Sequence, residues 1–251
     1  MKDIGRFINL GFTIVSIILI CLYIGYKTNN YVLWIIVGVG MALFYLLNFL
    51  VKKLYETNEI ERIKNDLLNG EIVAFGTDTV FGLACVYDDP KAIQKVYDAK
   101  NREARKALPM MCKSVDIIKE VAYVSDDAYK IMKAFMPGAI TIIYKKRPCI
   151  SDLATSGMDT IGIRIPNDDF VLSLLREVEK PLLVTSANIS NEPSELKWEE
   201  VYKKLDGRID GIVKRDASGS SSSTIVDCSG EEIKILRQGP ISEKEIREVI
   251  Q

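Results

Sequence analysis

The sequence predicts an α/β fold, an open twisted mixed β-sheet with flanking helices, preceded by a two-helix transmembrane hairpin. Three observations carry this reading. Residues 7–26 and 31–51 hold no charged side chain. From about Glu56 onward cations and anions are near balance, as in a soluble domain. In that second part, short apolar runs of strand length alternate, irregularly, with amphipathic helical segments, the pattern of a sheet covered by helices.

Each uncharged run, about 20 residues long, makes a helix of ~30 Å, the hydrocarbon thickness of a bilayer. Between them lies only KTNN (27–30), with Tyr23, Tyr26, Tyr31 and Trp34 clustered around it where an aromatic belt would lie. Lys2 and Arg6 precede the first run, Lys52 and Lys53 follow the second, and the turn carries Lys27 alone. The positive-inside rule then puts both termini and the following domain in the cytoplasm, on a cell membrane crossed twice. A buried helix pair in a soluble protein is the alternative, but no polar stripe interrupts either run. With no ionisable residue inside it, the hairpin reads as an anchor rather than a transporter. The expected division is 1–53 for the hairpin and 54–251 for the α/β domain; a split of the latter near Pro148 or Pro193 is the alternative.

Within 54–251 the elements follow in order. Ile60, Ile63, Leu67 and Leu68 have helical spacing, and Asn69-Gly70 stops that helix. EIVAF (71–75) is a strand, 76–79 a turn, and 80–86 a second strand or bend. A helix starts near Pro90 and runs to about Lys100. Residues 108–112 form a short strand, and 114–121 and 125–135 are helices, the second capped by Ser125 with Asp126 and Asp127 in its first turn. Strands are expected at 139–145, 160–165, 182–185, 211–213, 223–227 and 233–236. Helices are expected at 168–178, 198–205 and 242–250, the last opened by Ser242 with Glu245 in the capping-box position.

The composition excludes several chemistries. There is no histidine, so His-based acyl-transfer triads, HExxH zinc sites and histidine-ligated haem are ruled out. The five cysteines have neither zinc-ligand nor redox spacing, and read as small buried hydrophobes in a reducing compartment. A net charge of −1 leaves any polyanion affinity to a local patch.

Four polar loops follow strands, the place where α/β sheets bind ligands. They are GTDTVFG (76–82), the basic run KNREARK (100–106), VTSANISNEPS (184–194) and DASGSSSST (216–224). Singly, each also fits an ordinary cap or turn, and cations at a helix C-terminus are favoured by the dipole alone. None is a Walker A or GxGxxG motif. The serine-rich stretch 218–223 is expected to be flexible.

Together the motifs resemble the YrdC/Sua5 family of threonylcarbamoyl-adenylate synthases. The residues that carry the resemblance stand in family order between about Glu59 and Ile241: TDTVFGLA (77–84), Lys100-Asn101-Arg102 with Lys106 and Leu108-Pro109, FMPGAITII (135–143), IGIRIP (161–166), TSANIS (185–190), STIVD (223–227) and LRQGPI (236–241). The resemblance implies a YrdC-like catalytic domain in its short, single-domain form. It implies a nucleotidyltransferase that joins L-threonine, bicarbonate and ATP into threonylcarbamoyl-AMP, releasing pyrophosphate, for N6-threonylcarbamoyladenosine modification at position 37 of tRNA. Lys100 and Arg102 match the family's catalytic ATP-binding pair. Lys106, Arg164, Ser186, Asn188, Ser223, Thr224 and Arg237 are expected to hold the nucleotide, and Thr77, Thr79 and Thr185 the threonine. Mg²⁺ would come with ATP, held largely by phosphates and water. Partner proteins of tRNA modification are implied, and a direct contact with double-stranded RNA or tRNA stays open. So do two alternatives: an RNA-binding module without catalysis, and a carbamoyl-adenylate-forming enzyme. Phe81 stands where the family usually has tyrosine.

Overall fold

The computed structural model describes residues 2–103 and 106–251, with side chains from residue 10 onward; Arg105 of the basic run lies outside the described residues. By internal contacts the chain divides into two compact units, 1–58 and 59–251.

The first unit holds helix α1 (Lys2–Thr28) and most of α2 (Tyr31–Leu68). The turn between them is shorter than the expected KTNN: Lys27 and Thr28 complete α1, and only Asn29 and Asn30 make the turn. Asn29 takes the left-handed conformation (φ 53°), which asparagine tolerates better than most residues, and Asn30 O accepts from Trp34 N at 3.3 Å. The helices meet through small residues. A Cβ on Gly38 would lie 2.9 Å from Cys21 Cβ, and one on Gly25 would lie 3.3 Å from Trp34 Cβ. Away from that contact the apolar side chains are bare, with Phe12, Val32 and Phe44 each more than two-thirds exposed. Both helices are long and apolar enough to cross a membrane. One element differs from expectation: residues 51–58 are helical and continue α2, rather than linking two helices. The change from apolar to charged side chains alters the solvent preference of a helix, not its backbone, and no Gly or Pro lies between Met41 and Asn69 to stop it.

The second unit is built on one mixed sheet. Its strands are β1 (Val73–Gly76), β2 (Phe81–Val86), β3 (Met110–Met111), β4 (Ala122–Tyr123), β5 (Ile140–Lys146), β6 (Thr160–Arg164), β7 (Leu182–Ser186), β8 (Gly211–Ile212), β9 (Thr224–Asp227) and β10 (Lys234–Arg237). Their order is β10-β9-β5-β6-β3-β7-β2-β1-β8, with β4 paired to β5 off the path. The β1–β8, β3–β6 and β5–β9 pairs are parallel, and the other pairs are antiparallel.

Strand periodicity assigns the two faces. Ile72, Ala74, Phe81, Leu83, Cys85 and Leu183 join the core under α3 (Pro90–Lys100), α4 (Val115–Val121) and α5 (Asp126–Phe135). Val73, Phe75, Ala84, Val86, Leu182 and Val184 point the other way, against Ile63 and Leu67 of α2 and against α7 (Asp169–Val178). Burial on both faces is why these strands read as near-continuous apolar runs. The remaining helices are α6 (Asp152–Thr155), α8 (Trp198–Leu205) and α9 (Glu243–Glu248). Asp89 accepts from Lys91 N and Ala92 N at the start of α3, and Ser242 and Glu245 form the reciprocal capping box the sequence predicts. Of the cysteines, Cys21, Cys85, Cys112 and Cys228 are buried as expected; Cys149 is exposed.

Candidate functional site

The expected residues converge where the loops after β1, α3 and β7 meet the start of β9 and the end of β10. A cavity of about 260 Å³ lies there, lined by Thr77, Thr79, Arg102, Thr141, Arg164, Thr185, Ser186, Ser223 and Arg237 among others. Three guanidinium groups thus share a small space with hydroxyls from four separate segments. The 76–80 turn is self-bonded. Thr77 Oγ1 donates to Val80 O at 2.7 Å and accepts from Thr79 N at 3.1 Å, with Thr79 Oγ1 3.0 Å away.

Arg164, at the end of β6, has its guanidinium fixed on three sides. It donates from Nε to Gly138 O (2.9 Å), from Nη1 to Thr79 Oγ1 (2.7 Å) and from Nη2 to Asp78 Oδ1 (2.6 Å). Burial holds this arginine below its ordinary range, and Asp78 pulls it back up. Arg237 donates to Ser223 O (3.0 Å) and Ser223 Oγ (3.3 Å), and Ser223 Oγ lies 2.8 Å from Thr141 Oγ1. Burial lowers its pKa, and so does the Arg164 charge. Arg102 donates to Lys106 O (3.0 Å) and Ala107 O (2.8 Å), and burial lowers it as well. Among the described residues neither Arg102 nor Arg237 is paired with a carboxylate.

Other expected site residues lie off the cavity wall. Lys100 is buried at the last position of α3, its Nζ donating to Ser186 O and to Asn188 O (2.6 Å), with Asn188 Oδ1 at 3.4 Å. Burial, helped by the Arg102 charge, pushes this lysine down to about 7. Asn188 also clasps its own loop, donating to Ile189 O and Glu192 O, both at 2.8 Å. Lys106 Nζ contacts Asn191 Oδ1 at 3.1 Å. Thr224 departs furthest from its expected ligand role. Its hydroxyl donates to Ile241 O and accepts from Gly239 N and Ile241 N, so it shapes the turn after Arg237.

Asp78 and Thr141 were not expected. Thr141 reads as one polar position in an alternating strand. Asp78 is anchored by Arg164 and by Asn167 N (2.9 Å), partners far away in sequence. The serine-rich loop expected to be loose is instead anchored at both ends: Ser218 N donates to Thr77 O and Thr224 N to Ala139 O. A Cβ on Gly219 would lie 2.3 Å from Thr79 O, so the two loops pack backbone to backbone. Among the described residues no group of three or more His, Cys, Asp or Glu side chains could hold a metal ion, and the Asp78 carboxylate is taken by Arg164 and Asn167. These side chains do not form a protein cage for magnesium; an ion accompanying ATP would rest on the phosphates and water.

The Sua5/YciO/YrdC family model, described as "Telomere recombination", matches residues 65–239, which is more than half of the chain. The chain belongs to this family. A putative threonylcarbamoyl-AMP synthase of Methanocaldococcus jannaschii is 39% identical over 197 residues, covering 75% of this chain and 92% of that one. The threonylcarbamoyl-AMP synthase of Bacillus subtilis is 36% identical over 187 residues, 73% of this chain and 54% of its own length. Among solved structures, Pyrococcus abyssi Sua5 complexed with L-threonine superposes with a TM-score of 0.74 at 30% identity, covering 76% of this chain and 57% of that one. The chain therefore spans about half the length of the Bacillus and Pyrococcus relatives. Escherichia coli YciO, at 22% identity and a TM-score of 0.68, shares the fold of this Sua5/YrdC domain.

Proposed function

We propose that this Sua5/YrdC-family chain is an L-threonylcarbamoyladenylate synthase, making threonylcarbamoyl-AMP and pyrophosphate from L-threonine, bicarbonate and ATP for N6-threonylcarbamoyladenosine modification at position 37 of tRNA. The supporting observation is the meeting of Arg102, Arg164 and Arg237 with the hydroxyls of Thr77, Thr79, Ser186 and Ser223 in one cavity. Guanidinium groups set in a largely buried wall, two of them, Arg102 and Arg237, without a carboxylate partner among the described residues, suit an anion that gains charge as it leaves. No enzyme nucleophile is required. The threonine amine attacks the bicarbonate carbon, a C–O bond breaks and water leaves with a proton from the amine; an oxygen of the resulting carbamate then attacks the α-phosphorus, breaking its bond to the bridging oxygen and releasing pyrophosphate. The chain orients the reactants and stabilises the developing charge. Arg102, Arg164 and Arg237 face the phosphates, and the Thr77–Thr79 turn receives the amino acid. Lys100 ties the end of α3 to the 186–188 turn through the carbonyls it binds.

The test is pyrophosphate release from ATP and bicarbonate, with and without threonine. The expected result is threonine-dependent release, lost in R102A and R237A while both variants remain folded. Release without any threonine dependence would sink the proposal.

We further infer that residues 7–26 and 31–51 form a two-span anchor in a cell membrane, with both termini and the catalytic domain cytoplasmic. The support is the length and exposed apolar surface of the two helices, together with the flanking cations. Single cysteines at Asn29 and Asn58 test this, with Asn29 expected to label from outside and Asn58 from the cytoplasm. The reverse labelling would overturn it.

A further inference from the structure

Among the described residues three cations line the cavity, and the Asp78 carboxylate beside it pairs with one of them. Asp78 and Arg164 have side chains 10% and 5% exposed and meet at 2.6 Å. The second oxygen of Asp78 accepts from Asn167 N, so the carboxylate is held between the turn after β1 and the segment after β6. Arg164 lines the cavity and Asp78 does not. Arg237 lies close enough to Arg164 for the two charges to oppose each other. Removing Asp78 would take away one of the three anchors of the Arg164 guanidinium, leaving Gly138 O and Thr79 Oγ1, and would raise the positive charge beside the cavity by a full unit.

We propose that Asp78 is a positioning residue that fixes the pose of Arg164 and moderates the positive charge of the cavity, so that the anionic product is stabilised as it forms yet still leaves. The proposal rests on the synthase reading, in which that anion is pyrophosphate. It follows from the sign of the charges. An arginine site without its carboxylate binds a polyanion more tightly in the ground state, and uniform tightening does not accelerate a reaction. Without Asp78, the guanidinium also loses one of the three contacts that fix its direction as a preorganised donor. Loss of a merely structural carboxylate would act differently, lowering stability and weakening every ligand together.

The experiment compares the full chain with D78N and D78E. Pyrophosphate binding is measured by calorimetry without other substrates, and kcat and the KM for ATP by pyrophosphate release. D78N, which keeps the shape and removes the charge, is expected to bind pyrophosphate at least about threefold more tightly and to lose about tenfold in kcat without a rise in KM. D78E, which keeps the charge and displaces it by one methylene, is expected to bind pyrophosphate like the native chain and still lose kcat. Unchanged or weaker pyrophosphate binding by D78N overturns the proposal, as does native kcat in either variant. If D78N does not fold, D78E decides by its kcat. A native chain that releases no pyrophosphate would overturn the synthase reading instead, while calorimetry would still decide the charge effect of Asp78.

Discussion

The ammonium of Lys100 donates to the main-chain oxygen of Asn188 at 2.6 Å, joining the C-terminal end of α3 to the turn after β7. Ser186 O and Asn188 Oδ1 complete its surroundings, and all three acceptors are neutral carbonyls. A buried ammonium with no carboxylate partner among the described residues pays for desolvation, and the Arg102 charge adds to it, so its pKa falls to about 7 from the usual 10.5.

This lysine makes stability depend on pH with a definite sign. Between about 7 and 10.5 the unfolded chain binds the Lys100 proton and the folded chain does not. Stability from this group therefore rises with pH across that window, by an amount on the order of a few kcal/mol, and is at its lowest below pH 7. Substituting methionine, K100M, should flatten the rise. Denaturant titrations of both forms at pH 6.5 and 9 measure it, and equal slopes would contradict the assignment.

Gly219 should tolerate no side chain. A Cβ there meets Thr79 O at 2.3 Å and Thr79 Cα at 2.4 Å, both backbone atoms that cannot rotate away. G219A is expected to cost about 1–3 kcal/mol of stability through overpacking. It should also reduce kcat/KM at least tenfold, because Thr77 and Thr79 move with the displaced turn. Thermal unfolding and pyrophosphate release check the two parts, and native kcat/KM in G219A would refute the loop contact.

Thr224 separates shaping from ligand binding. T224V keeps the volume and strands Gly239 N and Ile241 N without their acceptor, at an expected cost of about 1–3 kcal/mol. T224S should restore stability and activity together. Loss of ATP affinity in T224V with native stability would show that the hydroxyl meets the ligand instead.

Much of the fold is legible where local chemistry decides it. Helix α3 starts at Pro90 and ends at Lys100, as the sequence predicts, with Asp89 capping its start and Asn101 in the left-handed conformation closing it. Strands 71–75 and 182–185 are readable because both faces are buried. The two-residue β4 and four-residue α6 escape notice because each spans only about one period of its own pattern, too little for a repeat to show. Helix α2 looks like two helices because the eye follows hydrophobicity, which changes at Lys52, while the backbone follows propensity, which does not. In the site, the arginines and hydroxyls are legible through their motifs. The bond from Asp78 to Arg164 is not, because nothing local to Asp78 names a partner brought to it only by the sheet. The loop contacts of Thr224 are hidden for a similar reason, since its partners Gly239 N, Ile241 N and Ile241 O lie 15–17 residues away.

The most direct measurement follows isotopic carbon. The full chain, in membranes or detergent, is incubated with labelled bicarbonate, ATP and L-threonine. The label is expected in an adenylate that forms only when threonine is present, with one pyrophosphate released for each label incorporated. Pyrophosphate release without labelled adenylate, or labelled adenylate in the absence of threonine, would contradict the synthase reading.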